Sequence, residues 1–426
     1  MKATIHQGSL SGEVRAPRSK SSMQRACAAA LLHRGTTCIH EPGGSNDDLA
    51  ALDVIRKLGA EISEREGGIL VRSEGVRPLT GEIHCGESGL GIRMFTPIAA
   101  LSSRELTVTG SGSLVSRPMH FFDEILPRLR VSTASNEGRL PLRIRGPLKP
   151  GDISVDGSLS SQFLTGLLMA FSASGAQGVT ITVNDLKSRP YIDLTLDVMR
   201  RFGMPVPSVD GYERFHFPDA TPVPVKERID YTVEGDWSGA AFLIVAAAIA
   251  GDLSITGLQA DSVQADRAIL EALRAAGGRF RFAGDRLFVE KTPLNAFEFD
   301  ATECPDLFPP LAALAACCKG DTQIRGVGRL VHTESDRGVT IEEEFSRMGV
   351  PVTRSGDVMR ITGGGPVRAA KCHSRHDHRI AMALAVAGLR SDGPVVIESA
   401  EAVAKSYPAF FDDLASIGGR VVREVS

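Results

Sequence analysis

The stretch VMRRFGMPVP, residues 198–207, has the pattern of an amphipathic helix that ends at a glycine and continues into a strand. Similar stretches occur at 54–63, 124–133, 272–281, 344–353 and 413–422. A β-branched strand precedes each of the six, at 36–42, 104–110, 178–183, 251–257, 320–326 and 393–399. Glycine after the last turn is the usual left-handed helix cap, and alternating strands need one buried face. The pattern therefore predicts six repeated units, spaced about 70 residues apart.

The position of one motif indicates how these units are grouped. TVEGDWS, residues 232–238, lies near the middle of the chain and begins a fresh repeat, which favours two groups of three units. Units of this kind cannot bury their apolar faces alone, so they must pack with helices inside and sheets outside, or the reverse. The repeat pattern is compatible with both arrangements.

Length and composition are those of a globular protein of about two to four domains, with 426 residues, of which 42% are hydrophobic and 23% charged. The net charge of −3 provides no overall positive field for nucleic acid or an anionic membrane. The apolar run at 240–250 falls short of the roughly 20 residues that cross a bilayer, and is expected to be a core helix.

The cysteines and the N-terminus bear on location. Seven cysteines without a C-x-x-C pair favour reduced thiols. The opening residues MKATIHQGSL lack the apolar segment of a secretion signal. A cytoplasmic location is therefore predicted.

The loops before the predicted helices carry the unusual residues. APRSKSSMQRA, residues 16–26, places Arg18, Lys20 and Arg25 where a helix begins. The helix dipole disfavours cations there, so their presence suggests a bound anion, although for a single loop a solvated surface helix is the commoner explanation. Cations recur in ESGLGIR, SRP, KSRPY, TESDR, HDHR and AKSYP, at 87–93, 116–118, 187–191, 333–337, 376–379 and 404–408. Converging loops of this kind predict a site for small, multiply charged anions, with Asp306 and Glu334 as its candidate acids.

Two motifs bear on cofactors. His373, His376 and His378 in HSRHDH could bind a metal, but the neighbouring Arg375 and Arg379 would repel a cation. The glycine runs at 110–113 and 363–365 lack the following Lys-Ser or Lys-Thr of a phosphate-binding P-loop. We therefore predict neither a metal nor a nucleotide.

Taken in order, the motifs from residue 8 to about 420 resemble those of the 5-enolpyruvylshikimate-3-phosphate synthase family of enolpyruvyl transferases. The shared motifs are SKS-x3-R, SGLGIR, SRP, DGSLSSQFLTGLLMA, KSRPYIDLTL, EGDWSGAAFL, CPD, ESDR, DHRIAMALA and AKSYPAFF. The resemblance implies a two-domain inside-out α/β barrel, in which each domain has three β-α-β-α-β-β units. The first domain would comprise 1–17 with 235–426 and the second 18–234, with the active site in the cleft between them.

The resemblance also implies roles for individual residues. Shikimate 3-phosphate would be bound by Lys20, Ser21, Arg25, Ser160, Ser161, Gln162, Ser188, Tyr191, Asp306, Arg329 and Thr333. Phosphoenolpyruvate would be bound by Lys20, Gly89, Arg117, Gln162, Arg337, Arg379 and Lys405, at a site for which glyphosate competes. Asp306 would act as base and Glu334 as acid, with Lys20 as a further catalytic residue. A monomer without cofactor, metal, nucleic-acid or membrane partner is expected.

Some positions depart from the common family pattern, and two other functions stay open. Arg18 replaces a Gly, Gln24 an Asn, Arg329 an Asn and Thr333 a Lys, while ESGL at 87–90 stands where Asn-Ala-Gly-Thr is common. One alternative is the sister carboxyvinyltransferase that acts on UDP-N-acetylglucosamine with a loop cysteine, for which Cys85 and Cys304 are the candidates. The other is a non-catalytic protein that binds phosphorylated metabolites. The SKS and DGSLSSQ motifs favour the shikimate enzyme.

Overall fold

The structure is a computed structural model, which describes residues 1–158, 161–219, 226–331 and 333–424 of the chain. The chain divides into two compact units. Unit 1 comprises Met1–Ser19 with Glu234–Ser426, and unit 2 comprises Lys20–Val233.

The described residues form 24 strands and 12 α-helices. The strands are β1 Lys2–His6, β2 Leu10–Arg15, β3 Gly35–His40, β4 Glu61–Arg65, β5 Gly68–Ser73, β6 Glu82–His84, β7 Glu105–Thr109, β8 Ser132–Asn136, β9 Arg139–Arg145, β10 Ile153–Asp156, β11 Val179–Asn184, β12 Ser208–Asp210, β13 Arg214–Phe217, β14 Arg228–Thr232, β15 Gly251–Thr256, β16 Arg279–Ala283, β17 Arg286–Glu290, β18 Glu298–Asp300, β19 Gly320–Arg325, β20 Val352–Ser355, β21 Val358–Gly363, β22 Ala370–His373, β23 Val395–Glu398 and β24 Arg420–Glu424. The helices are α1 Lys20–Leu32, α2 Asn46–Lys57, α3 Gly89–Ala99, α4 His120–Ile125, α5 Ser161–Ala173, α6 Arg189–Arg201, α7 Trp237–Ala250, α8 Ile269–Ala275, α9 Phe308–Cys317, α10 Arg337–Arg347, α11 His378–Gly388 and α12 Phe410–Ser416.

The strands of the described residues form six four-stranded sheets, three in each unit. In the sheet β10-β11-β13-β12, the first pair is parallel and the other two pairs are antiparallel. Helix α5 connects the parallel strands β10 and β11, and α6 leads from β11 to β12 at the far edge of the sheet. A parallel pair needs such a crossover, because a tight turn reverses the chain. Each of the other five sheets likewise has one parallel pair followed by two antiparallel pairs, which confirms the predicted repeat.

Two strands are exchanged between repeats where the chain passes from one unit to the other. Strand β2 precedes α1 but pairs with β15 in unit 1, in register from Leu10 with Gly251 to Arg15 with Thr256. Strand β14 precedes α7 but pairs with β3 in unit 2. Strand β1 completes the last sheet of unit 1, between β23 and β24. Unit 1 therefore combines two separate segments of the chain, whereas unit 2 is one continuous segment.

The first helix of each repeat lies at the centre of its unit. Helices α1, α3 and α5 contact one another in unit 2, as do α7, α9 and α11 in unit 1. All residues of α3 are buried, and all of α7 except Ser238. The strands alternate instead, so that β9 has one buried and one exposed face. The packing that the repeat pattern left open is thus helices inside and sheets outside in each unit.

The ends of the second helices confirm the expected caps. The glycine after five of them has a positive φ, of 111° at Gly59, 65° at Gly203, 88° at Gly277, 74° at Gly349 and 100° at Gly418. The copy at 124–133 has no glycine, and there Arg130 adopts φ 63°. The left-handed residue lets the chain leave the helix and enter the next strand.

Within the described part of the chain, every helix is too short or too polar to span a membrane.

Candidate active site

Arg25 is the most deeply buried cation at the helix starts of unit 2, with 1% of its surface exposed. Its guanidinium donates to Thr195 Oγ1 at 2.9 Å, to the carbonyl oxygen of Ser21 at 2.9 Å and to that of Tyr191 at 3.1 Å. Burial lowers the pKa of Arg25 to about 10, although Tyr191 and Tyr231 act in the opposite direction. A buried cation held by neutral oxygens is costly without a counter-charge, and is well suited to an anionic ligand.

Lys20, the first residue of α1, is paired with a buried carboxylate. Its Nζ lies 2.9 Å from Asp47 Oδ2, and the two side chains are 13% and 3% exposed. Asp47 lies in the first turn of α2, which is fixed by a capping box between Ser45 and Asp48. Burial raises the pKa of Asp48 to about 6, against the hydrogen bonds from Ser45 and the charge of Lys20. Asp47, which the sequence reasoning missed, thus holds the Lys20 ammonium in place.

The residues assigned to phosphoenolpyruvate in this unit meet at the start of α3. A Cβ atom at Gly89 would lie 2.7 Å from Arg117 Nη1 and 3.0 Å from Arg93 Nη1. Arg93 Nη1 donates to Gln162 Oε1 at 3.1 Å. Arg117 donates to Ser113 Oγ at 3.1 Å. Two guanidiniums therefore converge over a glycine, and Arg93 is an addition to the predicted set, signalled only by its place in SGLGIR.

The residues predicted to bind shikimate 3-phosphate in unit 2 lie at the starts of α5 and α6. Ser161 is the first residue of α5 and is buried. Ser188 adopts φ 58° at the N-terminus of α6, and the carbonyl of Tyr191 anchors Arg25. Ser160 lies outside the described residues.

Arg337 is the centre of a charged cluster in unit 1 and is 1% exposed. It donates to Asp306 at 2.7 Å, Glu334 at 2.7 Å and Asp377 at 2.8 Å. Burial alone would lower the pKa of Arg337, but Asp377, Glu334 and Asp306 raise it well above its ordinary value. The pairing of Glu334 with Arg337, three residues apart, is thus part of a buried network and differs from a solvated ion pair on a helix surface.

Two further predicted cations adjoin the same acids. Arg379 Nη2 donates to Asp306 Oδ2 at 2.8 Å, so Asp306 lies between two guanidiniums. Lys405 Nζ lies 3.5 Å from Glu334 Oε1. The buried Nε of Arg379 has no acceptor among the residues that the structure describes, which leaves one donor available to a ligand.

Asp266 is a buried carboxyl of this cluster that the sequence did not single out. It accepts a hydrogen bond from Ser238 Oγ and is 1% exposed. Burial, followed by the charge of Asp306, raises the pKa of Asp266 to about 7, against the opposing effect of Arg379. It precedes α8 in an otherwise ordinary segment, so only the folded chain reveals its proximity to Asp306.

Arg329 and Thr333 lie in the segment before α10. Arg329 belongs to the 3-10 turn Val327–Leu330 and is half-buried. The hydroxyl of Thr333 lies 2.7 Å from the carbonyl of Ser335 and 3.0 Å from that of Leu330. A hydroxyl has one proton, which Thr333 donates within its own turn, so donation to a phosphate would require it to rotate.

One trio of possible metal ligands lies close together in the described part of the chain, at Cys38, His40 and Asp230. It differs from the histidines of HSRHDH that the sequence brought forward. Arg228 donates to both oxygens of Asp230, each at 3.0 Å, and His40 Nε2 lies 2.9 Å from Oδ1. The carboxylate is thus engaged by side chains of the protein.

Solved structures share this architecture. An EPSP synthase from Acinetobacter baumannii is 26% identical, with a TM-score of 0.80 over 99% of this chain and 100% of that one. An enolpyruvyl transferase from Streptomyces tendae, 19% identical, has the same fold, with a TM-score of 0.76 over 100% and 99% of the two chains. The fold, with charged residues gathered at the starts of buried helices, defines the class as the enolpyruvyl transferases.

Sequence relatives narrow the class. A 3-phosphoshikimate 1-carboxyvinyltransferase from Aeropyrum pernix is 38% identical over 427 residues, covering 99% of this chain and 96% of its own. One from Thermococcus kodakarensis is 39% identical over 405 residues, covering 95% and 96%. The family model for EPSP synthase (3-phosphoshikimate 1-carboxyvinyltransferase) matches residues 5–414. The chain belongs to the EPSP synthase family.

Proposed function

We propose that this chain transfers the enolpyruvyl group of phosphoenolpyruvate to the 5-hydroxyl of shikimate 3-phosphate and releases phosphate, a step of the shikimate pathway. The observation that carries the proposal is the cluster around Arg337, in which two carboxylates, Asp306 and Glu334, are held by buried cations. Addition of a hydroxyl to the enol phosphate of phosphoenolpyruvate requires a base for the hydroxyl and an acid for the carbon. Membership of the EPSP synthase family supplies the identity of the substrates.

The base step is assigned to Asp306. Arg337 and Arg379 hold its two oxygens and favour the carboxylate form, and the side chain is still 28% exposed. Asp306 takes the proton of the 5-hydroxyl as the oxygen attacks C2 of phosphoenolpyruvate. Arg379 and Lys405 bind the anionic substrate, and Arg93, Arg117 and Gln162 form a second group of contacts to it.

The acid step is assigned to Glu334. Contact with Arg337 and Lys405 favours its ionised form, so Glu334 must gain a proton before it can protonate C3. Lys405 Nζ, at 3.5 Å, is close enough to supply that proton. The product of addition is a tetrahedral ketal. Return of a proton from C3 to Glu334, with cleavage of the bond from C2 to the phosphate oxygen, then yields the enolpyruvyl ether. The proton that Asp306 took from the 5-hydroxyl passes to the departing phosphate, which restores the carboxylate.

The shikimate phosphate is assigned to Arg25, with Ser21, Ser161, Ser188 and Tyr191. Arg25 has three oriented bonds to neutral oxygens, as suits a cation that binds a phosphate. Lys20, held by Asp47, is proposed to stabilise the charge that develops as the two substrates react.

The sister reaction on UDP-N-acetylglucosamine is less well supported. It calls for an accessible cysteine, and the two candidates, Cys85 and Cys304, are 1% and 4% exposed. Burial raises the pKa of Cys85 to about 12 and that of Cys304 well above its ordinary value. Thiols of this kind are poor nucleophiles.

Location and assembly complete the proposal. All seven cysteines are free thiols, as is typical of a reducing compartment, and we assign the protein to the cytoplasm. We expect it to act as a monomer, which light scattering after gel filtration tests directly.

The deciding experiment is phosphate release by the purified protein given shikimate 3-phosphate and phosphoenolpyruvate. Release should require both substrates, should not occur with UDP-N-acetylglucosamine, and should persist in EDTA, because side chains already neutralise the anions. The Asp306→Asn variant, assayed in parallel, excludes a contaminating phosphatase. Release without the shikimate substrate, or restored by a divalent ion after EDTA, would contradict the proposal.

A further inference from the structure

A strained loop places two members of the charged cluster in unit 1. Residues 374–377 connect β22 to α11, and two successive residues in it, Arg375 and His376, adopt φ of 54° and 58°. Side chains with a Cβ atom rarely adopt this left-handed region. The loop ends at Asp377, which caps α11 and binds Arg337, and Arg379 follows two residues later. The conformation of the loop therefore decides where Asp377 and Arg379 lie.

His373, the last residue of β22, holds this loop through one ring nitrogen. The backbone N–H of Arg375 donates to His373 Nδ1 at 2.8 Å. A backbone N–H can only donate, so Nδ1 must be unprotonated and the ring proton lies on Nε2. The acceptor role thus fixes the tautomer of a neutral imidazole.

The other ring nitrogen faces a second loop. His373 Nε2 lies 3.4 Å from Ser399 Oγ. Ser399 adopts φ 54° and directly precedes the 3-10 turn Ala400–Lys405, which ends at Lys405. The imidazole therefore bridges the loop before Arg379 and the turn that carries Lys405.

Contacts that do not titrate join the same two loops. Ser374 Oγ donates to the carbonyl of Ser399 at 2.9 Å and accepts from the N–H of His376 at 3.1 Å. The N–H of Ser374 donates to the carbonyl of Glu398 at 3.0 Å. With these bonds in place, loss of the imidazole bridge should shift the loops without unfolding the unit.

We propose that His373 is a positioning residue whose neutral imidazole, by bridging the loops that carry Arg379 and Lys405, sets the affinity for phosphoenolpyruvate. The inference rests on the proposed function, which assigns Arg379 and Lys405 to that substrate. His373 touches neither substrate in this assignment and acts through the two backbone segments.

The bridge is sensitive to pH because protonation gives Nδ1 a hydrogen that points at the N–H of Arg375. The hydrogen bond is then lost, and imidazoles take up this proton between pH 5 and 8. On α10, Glu344 accepts from the N–H of His373 at 3.0 Å and pairs with Arg347, and Glu343 pairs with Arg375 of the loop. The ring of His376, which interacts with Glu401, lies 5.6 Å from that of His373, and Glu398, opposite His373 on β23, pairs with Lys2.

The test compares His373→Asn with His373→Leu. Asparagine can accept a hydrogen bond from the N–H two residues later, as the imidazole does here, but it does not titrate. Leucine provides no acceptor. His376→Asn is the matched control, since it removes the neighbouring histidine and asparagine tolerates the left-handed conformation.

At pH 8 we expect His373→Leu to raise the KM for phosphoenolpyruvate about tenfold, the equivalent of about 1.4 kcal/mol, with the KM for shikimate 3-phosphate within about twofold. His373→Asn should stay within about threefold of wild type. Phosphate monoesters also titrate near pH 6. We therefore compare kcat/KM as the ratio of wild type to His373→Asn, in which the effect of substrate titration cancels. This ratio of kcat/KM should fall about fivefold or more from pH 8 to pH 5.5, and His376→Asn should follow wild type.

A constant ratio, or an unchanged KM in a folded His373→Leu variant, would overturn the inference, and the ratio decides alone if the leucine variant fails to fold. Amide hydrogen exchange in a peptide spanning 374–379 supplies a readout that needs no turnover. Exchange should be faster in His373→Leu than in wild type and unchanged in His373→Asn. If wild type released no phosphate, the proposed function would fail, whereas equal exchange in the two variants would refute the bridge itself.

Discussion

Asp306 and Arg337 form an ion pair of 2.7 Å in which the cation is buried, at 1% exposure, and the carboxylate is still accessible, at 28%. A buried guanidinium cannot move to follow its partner, because Glu334 and Asp377 hold it from two further directions. The pair therefore fixes one oxygen of Asp306 and leaves the carboxylate open to a substrate, as preorganised catalysis requires.

Replacement of this carboxylate should abolish most turnover. Asp306→Asn keeps the shape and removes the base, so kcat should fall about 100-fold or more with little change in either KM. The matched control is Asp300→Asn, an exposed aspartate that caps its own loop through Thr302. Steady-state phosphate release measures both. A loss confined to KM would assign Asp306 to binding alone.

Position 25 should require the guanidinium of arginine, and the ammonium of lysine should not replace it. Arg25→Lys keeps a charge but cannot reproduce three oriented bonds to Thr195, Ser21 and Tyr191. We expect the KM for shikimate 3-phosphate to rise about tenfold, and that for phosphoenolpyruvate to change much less. The exposed Arg34→Lys is the control. Equal effects on both substrates would argue for a general disturbance of α1.

Asp266 should make stability depend on pH. Its pKa is raised to about 7 in the folded chain, chiefly by burial, against about 3.9 in an unfolded chain. The stability it contributes is therefore fully present below the unfolded value and is lost as the pH rises through about 7. From pH 5 to pH 8, calorimetry should show a decrease in Tm that is about 3 °C larger for wild type than for Asp266→Asn. The exposed Asp285→Asn should behave as wild type, and a parallel fall in Asp266→Asn would count against a titrating Asp266.

A methyl group at position 89 should weaken the binding of phosphoenolpyruvate. In Gly89→Ala the new Cβ displaces the guanidinium ends of Arg117 and Arg93, which are flexible, so Tm should change little. The KM for phosphoenolpyruvate should rise about tenfold, and glyphosate, as a competitor for the same site, should bind more weakly. Gly151→Ala, where a Cβ meets nothing within 4 Å, is the control. A noncompetitive pattern for glyphosate would contradict a shared site.

Arg329 is expected to replace the lysine that is common at position 333. Arg329→Ala should weaken shikimate 3-phosphate binding about tenfold, since a guanidinium can hold phosphate through two N–H groups. The loss should be much smaller in a Thr333→Lys background, where an ammonium supplies the missing contact. Calorimetric titration of the two single variants and the double variant tests this coupling. Unchanged affinity in Arg329→Ala would rule it out.

The repeats and most of the candidate site could be predicted from the sequence because their signals are local. A glycine cap and an alternating strand are short-range features, so all six copies are found where the pattern placed them. The cations at helix starts are equally local, and motif order identified the family.

Tertiary structure alone decided what depends on residues distant in the chain. Whether helices or sheets lie inside follows from how three repeats close on one another, which no single repeat specifies. The pairings of β2 with β15 and of β14 with β3 join residues 241 and 192 positions apart, and their register is set by the pairing partners. Asp266 and Asp47 are ordinary acids in the sequence. Their roles arise because folding buries each beside a residue of the candidate site, Asp306 for one and Lys20 for the other, where low polarity strengthens every charge interaction.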